Sequence, residues 1–142
     1  MAYFGIKIYM NKIEHIGIAV RNIEESTRIF AKLFGAESYK QEAVESEGVM
    51  TGFFRMGESK IELLEATSPD SPIAKFIEKK GEGIHHIAFD VTEIRTEMAR
   101  LEAEGFQLLN KEPKQGADNK LVCFLHPKTT NGVLIELCQE RD

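Results

Sequence analysis

The sequence contains one unit twice. His15-Ile-Gly-Ile-Ala-Val20 and His86-Ile-Ala-Phe-Asp-Val91 lie 71 residues apart, half of a 142-residue chain. Each is followed, after two intervening residues, by an isoleucine that opens an amphipathic stretch. A repeat of this size restricts the chain to architectures made of two copies of one supersecondary unit. In the first copy Asn22 is the expected N-cap, with Glu25 three residues on in a capping-box pattern. Ile23, Phe30, Leu33 and Phe34 form the apolar stripe, and Gly35 ends the helix. In the second copy Thr92 is the expected cap, Ile94, Met98 and Leu101 face inward, and Gly105 stops the helix. Strand-like runs follow each helix and close on Lys60-Ile-Glu-Leu-Leu64 and Val133-Leu-Ile-Glu-Leu137. Each half reads β-α-β-β-β, and the class is α+β.

Ser68-Pro-Asp-Ser71 is a turn between the halves. Ser71-Pro72 is an N-cap and N1 pair opening a short helix with Ile73, Phe76 and Ile77 inward, and Gly81-Glu82-Gly83 breaks it. The expected organisation is a single domain over residues 11–142, with module one at about 11–67, a linker helix at about 71–81 and module two at about 84–139. Asn131-Gly132 marks a tight turn before the last strand. Residues 1–10 are read as an N-terminal extension, with Met10 an alternative start. Their apolar alternation suits a short strand, and they lack the basic segment and cleavage site of a signal peptide.

Composition narrows the partners. Hydrophobic residues make up 42 % and charged residues 29 %, as in a folded globular chain. A formal charge of −5 disfavours nucleic acid, whose binding needs a concentrated basic surface. No apolar run reaches the roughly 18–20 residues of a membrane span. Cys123 and Cys138 are too few for a disulfide scaffold, so the expected compartment is the reducing cytoplasm.

Strand parity sorts the chemistry, because alternate side chains leave opposite faces. Ile16, Ile18 and Val20 share one face, and His15, Gly17 and Ala19 the other. The second copy sets Ile87, Phe89 and Val91 against His86, Ala88 and Asp90. In the closing strands Glu62 opposes Ile61 and Leu63, and Glu136 opposes Ile135 and Leu137. A carboxylate between apolar neighbours is costly to bury without a partner. Two such carboxylates and two histidines at equivalent positions suit one divalent ion, Co²⁺, Ni²⁺, Mn²⁺, Fe²⁺ or Zn²⁺, with two positions left open if it is six-coordinate. His85 has the wrong parity and reads as a structural or outer residue; His126, before Pro127, reads as a loop or substrate-contact residue. Asp90 has the right parity, but its counterpart is Ala19.

With these residues in hand, the chain from about Lys12 to Gln139 resembles the vicinal oxygen chelate superfamily, whose paired β-α-β-β-β modules form an open, cup-shaped mixed sheet around a metal cleft. Within it the chain resembles the methylmalonyl-CoA epimerase family, most specifically in Ser71-Pro-Ile-Ala-Lys75, Gly83-Ile-His-His-Ile87, Phe124-Leu-His-Pro-Lys128 and Gly132-Val-Leu-Ile-Glu136. The resemblance implies metal ligands at His15, Glu62, His86 and Glu136, an acyl-CoA thioester substrate and a homodimer. It also implies proton removal and return at the carbon α to the thioester, with Glu136 as one base. Thr51 stands where some relatives carry a glutamate, which leaves Glu47, or Glu45 beside it, as candidates for the second base. Glu62 matches glyoxalase I (lactoylglutathione lyase) equally well, so a reaction on a glutathione hemithioacetal is the alternative. A metal-free binding module of the superfamily is a third reading, which the intact His-Glu-His-Glu set disfavours.

Overall fold

A computed structural model of the chain describes residues 9–141. The expected N-terminal extension lies mostly outside them. The chain forms two compact units, His15–His86 and Ile87–Asp142, the second including the described part of Met1–Glu14.

The first unit holds the end of β1 (Met10–Ala19), α1 (Ile23–Phe34), β2 (Lys40–Val44), β3 (Val49–Met56), β4 (Ser59–Ala66), α2 (Pro72–Lys80) and the start of β5 (Gly83–Val91). Its strand order is β2-β3-β4-β1. The β2–β3 and β3–β4 pairs are antiparallel, and β4 runs parallel to β1. The second unit holds the rest of β5, α3 (Ile94–Ala103), β6 (Lys114–Gln115), β7 (Lys120–Leu125) and β8 (Ile135–Glu140). Its order is β5-β8-β7-β6, with β5 parallel to β8 and the other pairs antiparallel. Each unit is therefore a mixed sheet with the β-α-β-β-β succession that the repeat predicts. Among the described residues no helix is long and apolar enough to cross a membrane.

The helix that follows each first strand buries one face on its own sheet. Ile23, Phe30, Ala31 and Phe34 of α1 pack with Ile18, Val20, Phe54, Ile61 and Leu63. Ile94, Met98 and Leu101 of α3 pack with Val91, Cys123, Leu125 and Leu137. Leu33 departs from the expected stripe and is 69 % exposed. It lies ten residues beyond Ile23, about 80° away around a helix of 3.6 residues per turn, whereas Phe34 returns to the same face.

The two helix starts share a device that neither half shows in local sequence. The Ile23 amide donates to Glu65 Oε1 at 2.6 Å, and the Ile94 amide donates to Gln139 Oε1 at 2.8 Å. Glu65 and Gln139 each stand three residues after a closing-strand glutamate, so the strand that carries the carboxylate also satisfies its module's helix. Asn22 caps α1 as expected, accepting from the Glu25 amide at 2.9 Å. Thr92 does not cap α3: the N-cap is Glu93, which makes no side-chain cap bond, and the Thr92 hydroxyl accepts from Asn11 Nδ2. The Ile94 amide, one of the orphan donors of this helix start, takes its acceptor from Gln139 instead. Gly35 and Gly105 end their helices with φ of 66° and 100°. Ser71 caps α2, accepting from the Ile73 amide at 3.1 Å. Ile73, Phe76 and Ile77 then pack on Ala19, Val49 and Leu64, on the opposite side of the first sheet from α1. Asn131 and Gly132 both take positive φ, 56° and 85°, as the turn reading requires.

Candidate metal centre

In the first unit strand register brings the predicted donors together. β1 presents His15, Gly17 and Ala19 on the face away from α1. Gly17 lies beside Glu62 of β4, and Glu62 lies beside Phe53 of β3. His86 enters from the start of β5. His15 Nε2 is 3.0 Å from His86 Nε2 and 3.2 Å from Glu62 Oε1, and His86 Nε2 is 3.6 Å from the same oxygen. All three side chains are at least nine-tenths buried.

Gly17 makes this approach possible. A Cβ there would stand 2.2 Å from His86 Cε1, 2.5 Å from Nδ1 and 2.7 Å from Nε2. The two imidazoles meet edge to face, with centroids 5.1 Å apart. His86 is held on its other nitrogen, because His85 Nδ1 lies 3.0 Å from His86 Nδ1. His85 in turn packs its ring against Phe76 of α2 at 4.9 Å. The outer role read from its parity thus has a physical form: His85 fixes which nitrogen of His86 faces Glu62 and His15.

Burial alone would raise the proton affinity of Glu62, but the charges and hydrogen bonds of His15 and His86 outweigh it and hold its pKa below the ordinary carboxylate value. Donors bound at about 2.0–2.2 Å lie roughly 3.0 Å apart at octahedral angles and roughly 3.4 Å apart at tetrahedral ones. The observed separations of 3.0, 3.2 and 3.6 Å fit such a set, and two imidazoles with a carboxylate have the donor chemistry of a borderline divalent ion.

Glu136 lies in the second unit at the position matching Glu62. It is buried beside Ala88 of β5 and Phe124 of β7, as Glu62 is beside Gly17 and Phe53. Cys138 Sγ is 3.3 Å from its Oε2. Thr51 is fully buried and donates its hydroxyl to the Glu42 carbonyl at 2.7 Å. Glu45 and Glu47 occupy a 3-10 turn between β2 and β3, Glu45 exposed and Glu47 half-buried. Asp90 accepts from Asn11 Nδ2 at 2.8 Å. His126 caps a 3-10 turn, its Nδ1 accepting from the Lys128 amide. Two contributors escaped the sequence reading, Gly17 as the cradle for His86 and Phe76 as the support for His85. The small residue opposite a histidine strand was the visible signal for the first.

Residues 14–124 match the family model described as the Glyoxalase/Bleomycin resistance protein/Dioxygenase superfamily. The chain is 40 % identical to a mitochondrial methylmalonyl-CoA epimerase of Dictyostelium discoideum, over 92 % of this chain and 80 % of that protein. It is 39 % identical to an ethylmalonyl-CoA/methylmalonyl-CoA epimerase of Cereibacter sphaeroides, over 92 % and 98 %. Among solved structures it is similar to a Streptomyces coelicolor methylmalonyl-CoA epimerase variant in complex with 2-nitronate-propionyl-CoA. That similarity has a TM-score of 0.89 and 34 % identity, and covers 92 % of this chain and 95 % of the other. These relatives give no support to the lactoylglutathione lyase alternative. The chain belongs to the glyoxalase/bleomycin resistance protein/dioxygenase superfamily and, within it, to the family of methylmalonyl-CoA epimerases.

Proposed function

We propose that this protein is a metal-dependent epimerase of methylmalonyl-CoA, an isomerase acting on a small acyl-CoA thioester in the cytoplasm as a homodimer. The observation that carries the reading is the buried His15, Glu62 and His86 set at metal-ligand spacing. It stands beside relatives that are 39–40 % identical and named as epimerases of this substrate. We assign Glu136 as the fourth ligand, on its equivalent register and burial in the repeated module.

The carbon to be inverted lies between a carboxylate and a thioester. Its proton is acidified by both, yet removal leaves an enolate that water alone stabilises poorly. A divalent ion on this donor set supplies Lewis-acid stabilisation of the negative charge on oxygen. The protein's own work is then proton transfer. Inversion needs a proton taken from one face and another delivered to the opposite face, most simply by two positioned carboxyl groups. Glu136 serves one face. By chain order alone the other face would fall to Glu47.

The test is incubation of the metal-loaded protein with one enantiomer of methylmalonyl-CoA in D₂O. Deuterium should enter the α position while the other enantiomer accumulates. No exchange and no inversion with full metal content would reject the epimerase reading.

A further inference from the structure

We infer that Glu42, on the edge strand of the first unit, is the second proton-transferring base of the reaction. The inference rests on the epimerase reading above. Three observations carry it.

The first is that Thr51 cannot do the task. Its side chain carries a hydroxyl, which is fully buried and already donated to the Glu42 carbonyl. The second is register. Glu42 pairs with Thr51, Thr51 pairs with Leu64, and Phe53 pairs with Glu62. Glu42 therefore projects from the same face of the sheet as Glu62 and His15. The burial of β2 agrees, with Lys40, Glu42 and Val44 half-buried and Gln41 and Ala43 exposed. Directly paired side chains have Cβ atoms about 4.5–5.5 Å apart, and long side chains also reach the diagonal neighbours. Glu42 thus stands directly beside the buried Thr51 and one diagonal step from Phe53, the neighbour of Glu62. The third observation is access. The Glu42 side chain is 33 % exposed and lies 3.2 Å from Lys40 Nζ. It is held by a charge partner yet open to the solvent with which a catalytic acid must exchange its proton. Glu47 lies beyond the end of β2 in the 3-10 turn. The adjoining Gly48 is held there by the Thr67 amide, which donates to its carbonyl at 2.7 Å, and a Cβ at Gly48 would stand 3.2 Å from Ser68 Oγ and Ser71 Cβ.

The step balances without a further reactant. The Glu42 carboxylate takes the α-hydrogen as a proton, the C–H electron pair becomes the carbon–carbon double bond of the enolate, and the thioester C=O π pair moves onto its oxygen. Glu136, in its acid form, delivers a proton to the other face of that carbon, the double-bond pair becomes the new C–H bond, and an oxygen lone pair re-forms the thioester C=O bond. Glu42 is left as the acid and Glu136 as the carboxylate, the state required for the reverse direction. Exchange with solvent restores the starting state.

The experiment compares the metal-loaded wild type with Glu42→Gln, each enantiomer of methylmalonyl-CoA being followed separately in D₂O. Metal content and thermal midpoint are measured on the same preparations. Epimerisation by Glu42→Gln should fall by on the order of 10²–10⁴-fold, as for loss of a positioned acid–base group. Exchange of the α-proton should fall with it for one enantiomer and survive for the other, with metal content unchanged. The surviving enantiomer is the control for folding and substrate binding. Wild-type exchange of both enantiomers by Glu42→Gln, equal loss of both, or a one-sided loss in Glu47→Gln instead would overturn the assignment. Absence of exchange in the wild type would overturn the epimerase reading itself.

Discussion

Replacing Gly17 by alanine should damage the proposed metal site while leaving the fold standing. The backbone at Gly17 is outside the left-handed region, so alanine costs nothing there in conformation. Relative to glycine it should gain about 0.4–1 kcal/mol through the unfolded chain. Against that, the new methyl would meet the His86 ring at 2.2 Å, so the ring must withdraw by about 1.2 Å to reach the 3.4 Å of ordinary contact. Overpacking of this kind costs about 1–3 kcal/mol, and the net loss of stability without metal should be about 1 kcal/mol. The ligand site tolerates far less, since productive metal distances hold within about 0.2 Å. His86 also cannot swing freely, because His85 holds its other nitrogen at 3.0 Å. Metal affinity should fall by on the order of 10²-fold, at the upper end of what loss of ligand orientation causes. Competition titration with a chromophoric chelator measures it, with a thermal melt of the metal-free protein alongside. Affinity within about threefold of wild type would refute the role assigned to Gly17.

Two further outcomes follow from the packing. Glu65→Ala and Gln139→Ala each remove the acceptor for a helix-opening amide, and each should cost about 1 kcal/mol, or roughly 4 °C in thermal midpoint. Glu65→Gln keeps an oxygen and should recover most of the loss; equal midpoints for all three variants and the wild type would dismiss the shared cap. Burial pushes the Cys123 thiol up to about 11, against smaller opposing effects of the Asn110 backbone and Lys114. Roughly one thiol in a thousand is then ionised at pH 8, so peptide mapping after iodoacetamide treatment of the folded protein should find Cys123 unmodified. Rapid labelling there would contradict its environment.

The repeat made the architecture legible, because two copies of one pattern constrain each other. The parity of His15 against Ile16 and of Glu62 against Ile61 and Leu63 was enough to assign faces before any pairing was known. Positions set by distant strands were less legible. Gln139 caps a helix 45 residues earlier in the chain, so Thr92 looked like the cap from local spacing alone. Leu33 looked like core because it is apolar and adjacent to Phe34, though its helical angle carries it into solvent. Glu42 was invisible for a related reason. Its face is defined by pairing with Thr51 across a turn whose length includes the Glu45–Glu47 segment, and chain order alone favours the nearer glutamates.

The most direct test joins metal content to turnover in one titration. The protein is stripped by a chelator, returned to buffer, and titrated with Co²⁺ or Mn²⁺ while epimerisation of methylmalonyl-CoA and bound metal are recorded together. Activity should be absent at first and rise in proportion to bound ion, levelling at one ion per chain, and His86→Ala should neither bind the ion tightly nor recover. Full epimerisation by the stripped wild type, or by His86→Ala without bound metal, would contradict a centre built on His15, Glu62, His86 and Glu136.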